Sequence, residues 1–175
     1  EISAPGLDIQ MYKIILQENW FKEINQSMTL MLGGQLGYGD SYGGKEFPFY
    51  KNFYVGGVST VRGYAQGAIG PHSKATDGSI MFVGGNKEII GNAELLLPMP
   101  FMRNNKQFRL SAFIDAGNVF SSDQSFSLSD LRYSVGMGVV WVSPFGPLKL
   151  VYAKPFNEGT NDKTESIQFQ MGQQF

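Results

Sequence analysis

The residue with the most chemical potential in this chain is an arginine set among small and apolar neighbours. Arg62 lies at the centre of Val61-Arg62-Gly63-Tyr64, inside a stretch over 43–71 that is crowded with glycine and with Phe47, Phe49, Tyr50, Phe53, Tyr54, Val55 and Val58. So many large apolar side chains are incompatible with a solvated linker. The stretch must pack against something, and a guanidinium carried into that packing needs carboxylate or carbonyl partners. Two carboxylates, Glu94 and Asp115, fall on the polar faces of alternating segments further along. Two readings of them stand. They belong to an ordinary wetted polar face, or Arg62 folds inward and meets both, in charge-assisted pairs that fix the position of its loop.

Other chemistries are poorly supported. Gly39-Asp40-Ser41-Tyr42-Gly43-Gly44-Lys45 superficially matches a phosphate-binding loop, but Glu46 stands where Ser or Thr is required and no helical pattern follows. The single histidine, His72, lies in a loop and makes neither a metal site nor a triad by itself. No serine occupies a nucleophile elbow, and no carboxylates repeat a hydrolase signature. We therefore expect no enzymatic activity, no metal and no cofactor. Asn25-Gln26-Ser27 matches a glycosylation acceptor, a pattern short enough to arise by chance. Cysteine is absent, which removes disulfide scaffolds and thiolate chemistry. A net charge of −1 gives no global field for nucleic acid.

The segments that must position Arg62 and its candidate partners alternate with period two, the signature of strands. Tyr12, Ile14 and Leu16 oppose Lys13, Gln17 and Asn19 within a first segment over 7–21, after a turn at Pro5-Gly6. A polar turn over 23–26 follows. Met28, Leu30, Leu32, Leu36 and Tyr38 then oppose Thr29, Gly33, Gln35, Gly37 and Gly39. Beyond the long loop, Ala93, Leu95 and Leu97 oppose Asn92 and Glu94, and Phe108, Leu110, Ala112, Ile114 and Ala116 oppose Arg109, Ser111, Phe113, Asp115 and Gly117. The cleanest alternation sets Leu131, Tyr133, Val135, Met137, Val139 and Trp141 against Arg132, Ser134, Gly136 and Gly138. Pro144-Phe145-Gly146-Pro147 forces a tight turn into Leu148, Leu150 and Tyr152. The chain ends on Ile167, Phe169, Met171 and Phe175, with Gly172 and Gln173 weakening the last turn.

No segment carries a helical period, and no apolar run approaches the ~18 residues of a membrane helix. Long strands with one apolar face, one polar or glycine-rich face and aromatics near their ends match an antiparallel transmembrane β-barrel wall. A soluble sandwich would turn the apolar face inward and use shorter strands. Seven strands and a truncated first one are expected, about eight in all, either a complete small barrel or part of a larger one. The opening Glu1-Ile2-Ser3-Ala4-Pro5 lacks the basic start and apolar core of a signal peptide, so the chain is read as beginning inside a fold.

Taken with the loop, the terminal phenylalanine leads to a family. The chain resembles the BamA family, the central barrel subunits of the outer-membrane assembly machine. The resemblance is carried by Gly37-Tyr38-Gly39-Asp40, Gly43-Gly44-Lys45-Glu46, Pro48-Phe49-Tyr50, Asn52-Phe53-Tyr54, Gly56-Gly57 and Ser59-Thr60-Val61-Arg62-Gly63-Tyr64. Further on it is carried by Asn92-Ala93-Glu94-Leu95, Pro98-Met99-Pro100, Asp115-Ala116-Gly117, Ser143-Pro144-Phe145-Gly146-Pro147 and Tyr152-Ala153-Lys154-Pro155. The arginine-glycine-aromatic motif alone indicates only the wider superfamily, which includes two-partner secretion translocators and the TamA relative. The stretch before it is more specific.

The resemblance implies an integral protein of the Gram-negative outer membrane. The chain would be the C-terminal half of a sixteen-stranded barrel, without the first half or the periplasmic domains. The loop over about 41–85 would be extracellular loop six, folded into the lumen with Arg62 against Glu94 and Asp115. The final strand, about 164–175, would form a gate with the barrel's first strand through Ile167, Phe169, Met171, Gly172 and Phe175, and would kink at Gly172. The implied partners are unfolded outer-membrane clients, the lipid bilayer and, mainly through the absent region, assembly-machine lipoproteins and periplasmic chaperones. A client strand would pair at the gate by β-augmentation. The rivals are a two-partner-type secretion pore, a TamA-like barrel, and a closed eight-stranded barrel with no client.

Overall fold

The computed structural model describes residues 1–3, 10–99, 107–144 and 146–172. Expectations resting on Pro5, Gly6, Pro100, Phe145, Gln173 and Phe175 lie outside the described residues. Nine strands follow one another: β1 (Met11–Asn25), β2 (Met28–Ser41), β3 (His72–Lys74), β4 (Ile80–Phe82), β5 (Lys87–Pro98), β6 (Phe108–Phe120), β7 (Arg132–Ser143), β8 (Gly146–Phe156) and β9 (Ile167–Met171). Seven of them form one antiparallel sheet in the order β1-β2-β5-β6-β7-β8-β9, while β3 and β4 make a small hairpin inside the long loop. The truncated first strand is represented by Ile2, which bridges Tyr12 on the outer edge of β1.

The sheet has the character of a membrane wall. β1 to β8, apart from the hairpin, run 11 to 15 residues, enough to cross a bilayer at a tilt. Their apolar faces are exposed along the whole sheet, through Ile14, Leu36, Ile114, Met137, Leu150 and Phe169. A soluble sandwich would bury these side chains, whereas a lipid-facing surface leaves them out. The opposite face carries Ser111, Asp115 and Ser134, all buried, together with Gly117, Gly136 and Gly138.

What covers that inner face is the loop. Phe53, Val55, Val61, Tyr64 and Ile69 of the loop pack with Ile90 of β5 and Val119 of β6 in one buried cluster. Each such side chain contributes roughly 1.5–3 kcal/mol when fully withdrawn from water. A second cluster joins Phe113, Val151 and Ala153, with Val58 of the loop against it. The small residues beneath are required by this approach: a Cβ at Gly117 would stand 2.9 Å from Val61 Cγ2.

Several boundaries differ from the alternation pattern, those of β1, β5 and β9 most informatively. β5 starts at Lys87 rather than Asn92, because Ile89 faces outward while Ile90 is buried under the loop, and two adjacent isoleucines hide the period. β1 continues to Asn25 through the expected polar turn, and Asn25 closes the hairpin by accepting the Ser27 N–H at 2.9 Å. Among the described residues, the last strand begins at Ile167 rather than at 164. Its ladder with β8 covers Ile167 to Met171, while Thr164 pairs with Tyr64 of the loop.

Candidate functional site

The loop crosses the inner wall through four consecutive residues, each seated on a different part of it. Val61 lies over Gly117 of β6. Arg62 follows at the junction of β5 and β6, where Glu94 and Asp115 point inward and are 4% and 0% exposed. Gly63 rests on β8, with φ +89 and an ideal Cβ only 3.0 Å from Ala153 Cβ. An L side chain there would be strained in backbone and in space alike. Tyr64 reaches the far end of β8, its hydroxyl donating to the Phe156 carbonyl at 2.8 Å.

Arg62 is 3% exposed and its side chain makes three hydrogen bonds to carboxylates. Its Nε and Nη2 donate to the two Asp115 oxygens at 2.7 Å each, a bidentate fork, and its Nη1 donates to Glu94 Oε2 at 2.6 Å. The Arg62 backbone N–H also donates to Asp115 Oδ2, at 3.1 Å. The guanidinium lies 3.5 Å from the centre of the buried Phe113 ring, a cation–π contact. Burial pulls the Arg62 pKa down, but Asp115 and Glu94 outweigh it and hold the group above its ordinary value. Arg62 therefore stays charged. Burial likewise pushes the Tyr64 phenol well above its usual range, which keeps it a donor.

A second shell of contacts orients these groups. Asn92 donates to Asp115 Oδ1 at 2.9 Å and to the Thr60 carbonyl at 2.7 Å, linking wall to loop beside the fork. Lys149 of β8 lies 3.8 Å from Glu94, so two cations face two carboxylates and the charges balance. On β9, Gln168 is buried and holds the loop backbone at Gly63 and Tyr64. The arrangement is a clamp.

Arg62, Glu94 and Asp115 thus meet in space, and Val61, Gly63 and Tyr64 flank them. Ile167, Phe169 and Met171 do not join this cluster. They lie on the exposed outer face of β9, whose far edge has no partner among the described strands. Gly172 follows the ladder at φ +83 and donates its N–H to the Pro147 carbonyl at 2.9 Å. Alternation did not single out Phe113, Asn92, Lys149 or Gln168. Phe113 carried a signal, as the one large aromatic on a face otherwise of Arg109, Ser111, Asp115 and Gly117. Gln168 carried none that separates it from Gln170.

The chain was compared with known proteins. The Omp85 superfamily domain matches residues 1–175. Among curated proteins, the outer membrane protein assembly factor BamA of Neisseria meningitidis serogroup B is 38% identical over 200 positions, covering 100% of this chain and 25% of that protein. The sorting and assembly machinery component 50 homolog of Homo sapiens is 28% identical over 147 residues, covering 76% of this chain and 30% of that protein. Among solved structures, the crystal structure of BamA from Haemophilus ducreyi lacking POTRA domains 1-3 superposes with a TM-score of 0.86 at 30% identity, over 96% of this chain and 36% of that one. The chain spans about a quarter of the length of the BamA relatives it matches. By sequence over its full length, and by a wall that superposes on a BamA barrel, this chain belongs to the Omp85 superfamily.

Proposed function

We propose that this chain is the C-terminal half of a sixteen-stranded outer-membrane barrel that folds and inserts client β-barrel proteins. The loop over about 41–85 is extracellular loop six, and Val61 to Tyr64 form a strut that holds the wall in shape. The gate lies between the barrel's first strand and β9, along Ile167, Phe169, Met171, Gly172 and Phe175. Clients pair there edge to edge, with no covalent step and no cofactor. Assembly-machine lipoproteins and periplasmic chaperones are further partners, mainly through the N-terminal region of the whole protein.

The observation that carries the reading is the buried Arg62 fork on Asp115 and Glu94. A charged clamp of this kind costs desolvation, and apolar packing would stabilise a passive wall as well or better. A loop pinned across the lumen by a specific ionic cluster suits a barrel whose shape has to be held while its seam is kept weak. The names of the relatives, assembly factors and a sorting and assembly component, agree with it.

The test uses the full-length protein in liposomes with its partner lipoproteins. The folding rate of an unrelated outer-membrane barrel, added with a chaperone, is followed by protease protection. Acceleration is expected. No acceleration, with transfer of a passenger polypeptide into the vesicle interior instead, identifies a secretion pore.

A further inference from the structure

β9 is held differently from the other strands of the wall. It is 5 residues long, where its neighbour β8 has 11. The Ser166 carbonyl still accepts the Ala153 N–H of β8 at 2.8 Å, but over 163–165 the chain pairs with the loop motif instead. The Ala65 N–H donates to the Lys163 carbonyl and the Glu165 N–H donates to the Gly63 carbonyl, both at 2.8 Å. Thr164 faces Tyr64 in antiparallel register. One side chain of the ladder joins them. Gln168, opposite Val151 and 4% exposed, accepts the Gly63 N–H through Oε1 at 2.9 Å and donates through Nε2 to the Tyr64 carbonyl at 2.7 Å.

We infer that Gln168 is a positioning residue that joins the last strand to the loop motif, so that the two open as one unit. A carboxamide both accepts and donates, and here it satisfies two buried backbone groups one residue apart. Leaving either group unpaired carries a desolvation penalty. The other end of the motif is fixed by Arg62 on β5 and β6. The motif is therefore a strap from the middle of the wall to its last strand. Lifting it removes Gln168's partners and the pairing over 163–165 together, leaving β9 with a short ladder. What this means for a client rests on the insertase reading, since β9 is the edge that reading assigns to the gate. The coupling itself needs no client.

The experiment is native-state hydrogen exchange on the full-length protein in lipid nanodiscs. In the wild type, the amides of 63–66 and 165–171 are expected to share one opening reaction, with protection alike within about twofold. Gln168→Met keeps the bulk and removes both bonds, and it should speed exchange in both segments by about tenfold, the effect of a net loss near one to two hydrogen bonds. Gln168→Glu keeps an acceptor for the Gly63 N–H but sets a buried carboxylate oxygen against the Tyr64 carbonyl, so it should speed exchange in both segments at least as much as Gln168→Met. Amides in the β5–β6 ladder should not change. Independent opening of 165–171 in the wild type overturns the inference, and so does equal acceleration throughout the wall in Gln168→Met. The wild-type measurement decides the question even if the variants do not fold. Client folding on the same nanodiscs separates the two readings. Uncoupled exchange with accelerated client folding removes Gln168's role alone, whereas coupled exchange without acceleration removes the insertase and leaves the strap in place.

Discussion

Replacing Arg62 with methionine preserves most of the side chain's length and deletes its charge. In the wild type Arg62 and Lys149 (+2) face Glu94 and Asp115 (−2), a sum of zero, and the variant leaves −1 on two buried carboxylates and a partly exposed lysine. Removing one partner of a buried ion pair costs about 3–5 kcal/mol. That range is the expected loss for Arg62→Met, with the Phe113 contact included because the terms are not additive. The geometry also predicts an asymmetry. Asp115 accepts three bonds from Arg62 and a fourth from Asn92, while Glu94 accepts one from Arg62. Asp115→Asn should therefore be the costlier of the two partner changes, by about 1–2 kcal/mol over Glu94→Gln. Arg62→Glu should be worse than Arg62→Met, and Asp115→Arg or Glu94→Arg should restore it in part. The assay is guanidinium unfolding of the full-length protein in lipid vesicles, read by tryptophan fluorescence and by heat-modifiable gel mobility. An unchanged midpoint for Arg62→Met, or Glu94→Gln costing as much as Asp115→Asn, refutes the reasoning.

Phe113→Leu should cost about 1–3 kcal/mol in the same unfolding assay, through lost cation–π contact and lost packing under the loop. Gly63→Ala forces a Cβ against Ala153 at positive φ, and should cost about 1–3 kcal/mol while making the loop more sensitive to limited proteolysis. Tyr64→Phe removes only the bond to Phe156; a loss of about 1 kcal/mol is expected, and one above about 3 kcal/mol would mean the ring has another role. On the outer face, Met137 is 59% exposed in the middle of β7, and Met137→Arg should cost about 2–4 kcal/mol in vesicles if that face meets hydrocarbon.

The wall was legible because a strand's two faces are written alternately, and β7 shows the pattern from Arg132 to Gly138. Strands beneath the loop were harder to delimit. Ile89 and Ile90 are both apolar for different reasons, one facing outward and one facing the loop core, so period two fails where a third layer arrives. The pairing of Arg62 with Glu94 and Asp115 could be posed from sequence because a charge amid glycine and aromatics has few places to go. Its geometry could not, since neither the fork on Asp115 nor the ring beneath it follows from face assignment. Gln168 was invisible for a simpler reason. A buried glutamine bonded to backbone and a wetted glutamine lining a lumen look the same in a strand that alternates polar and apolar.

The positions of the motif's partners also bear on the order in which the wall takes shape. Adjacent hairpins join residues close in sequence, as Asn25 and Met28 do at the tip of β1 and β2. Arg62 meets Glu94 across 32 positions and Asp115 across 53, and Gly63 meets Gln168 across 105. Closure entropy grows with the length of chain enclosed, so the short hairpins nucleate first and the link to β9 closes late. All of these contacts lie within the one chain. The loop can settle in two stages, onto the β5–β6 carboxylates once that hairpin exists and onto β9 when strand pairing delivers it. Until the second stage, an anchored loop presents the Gly63 and Tyr64 backbone as a template on which the last strand is registered.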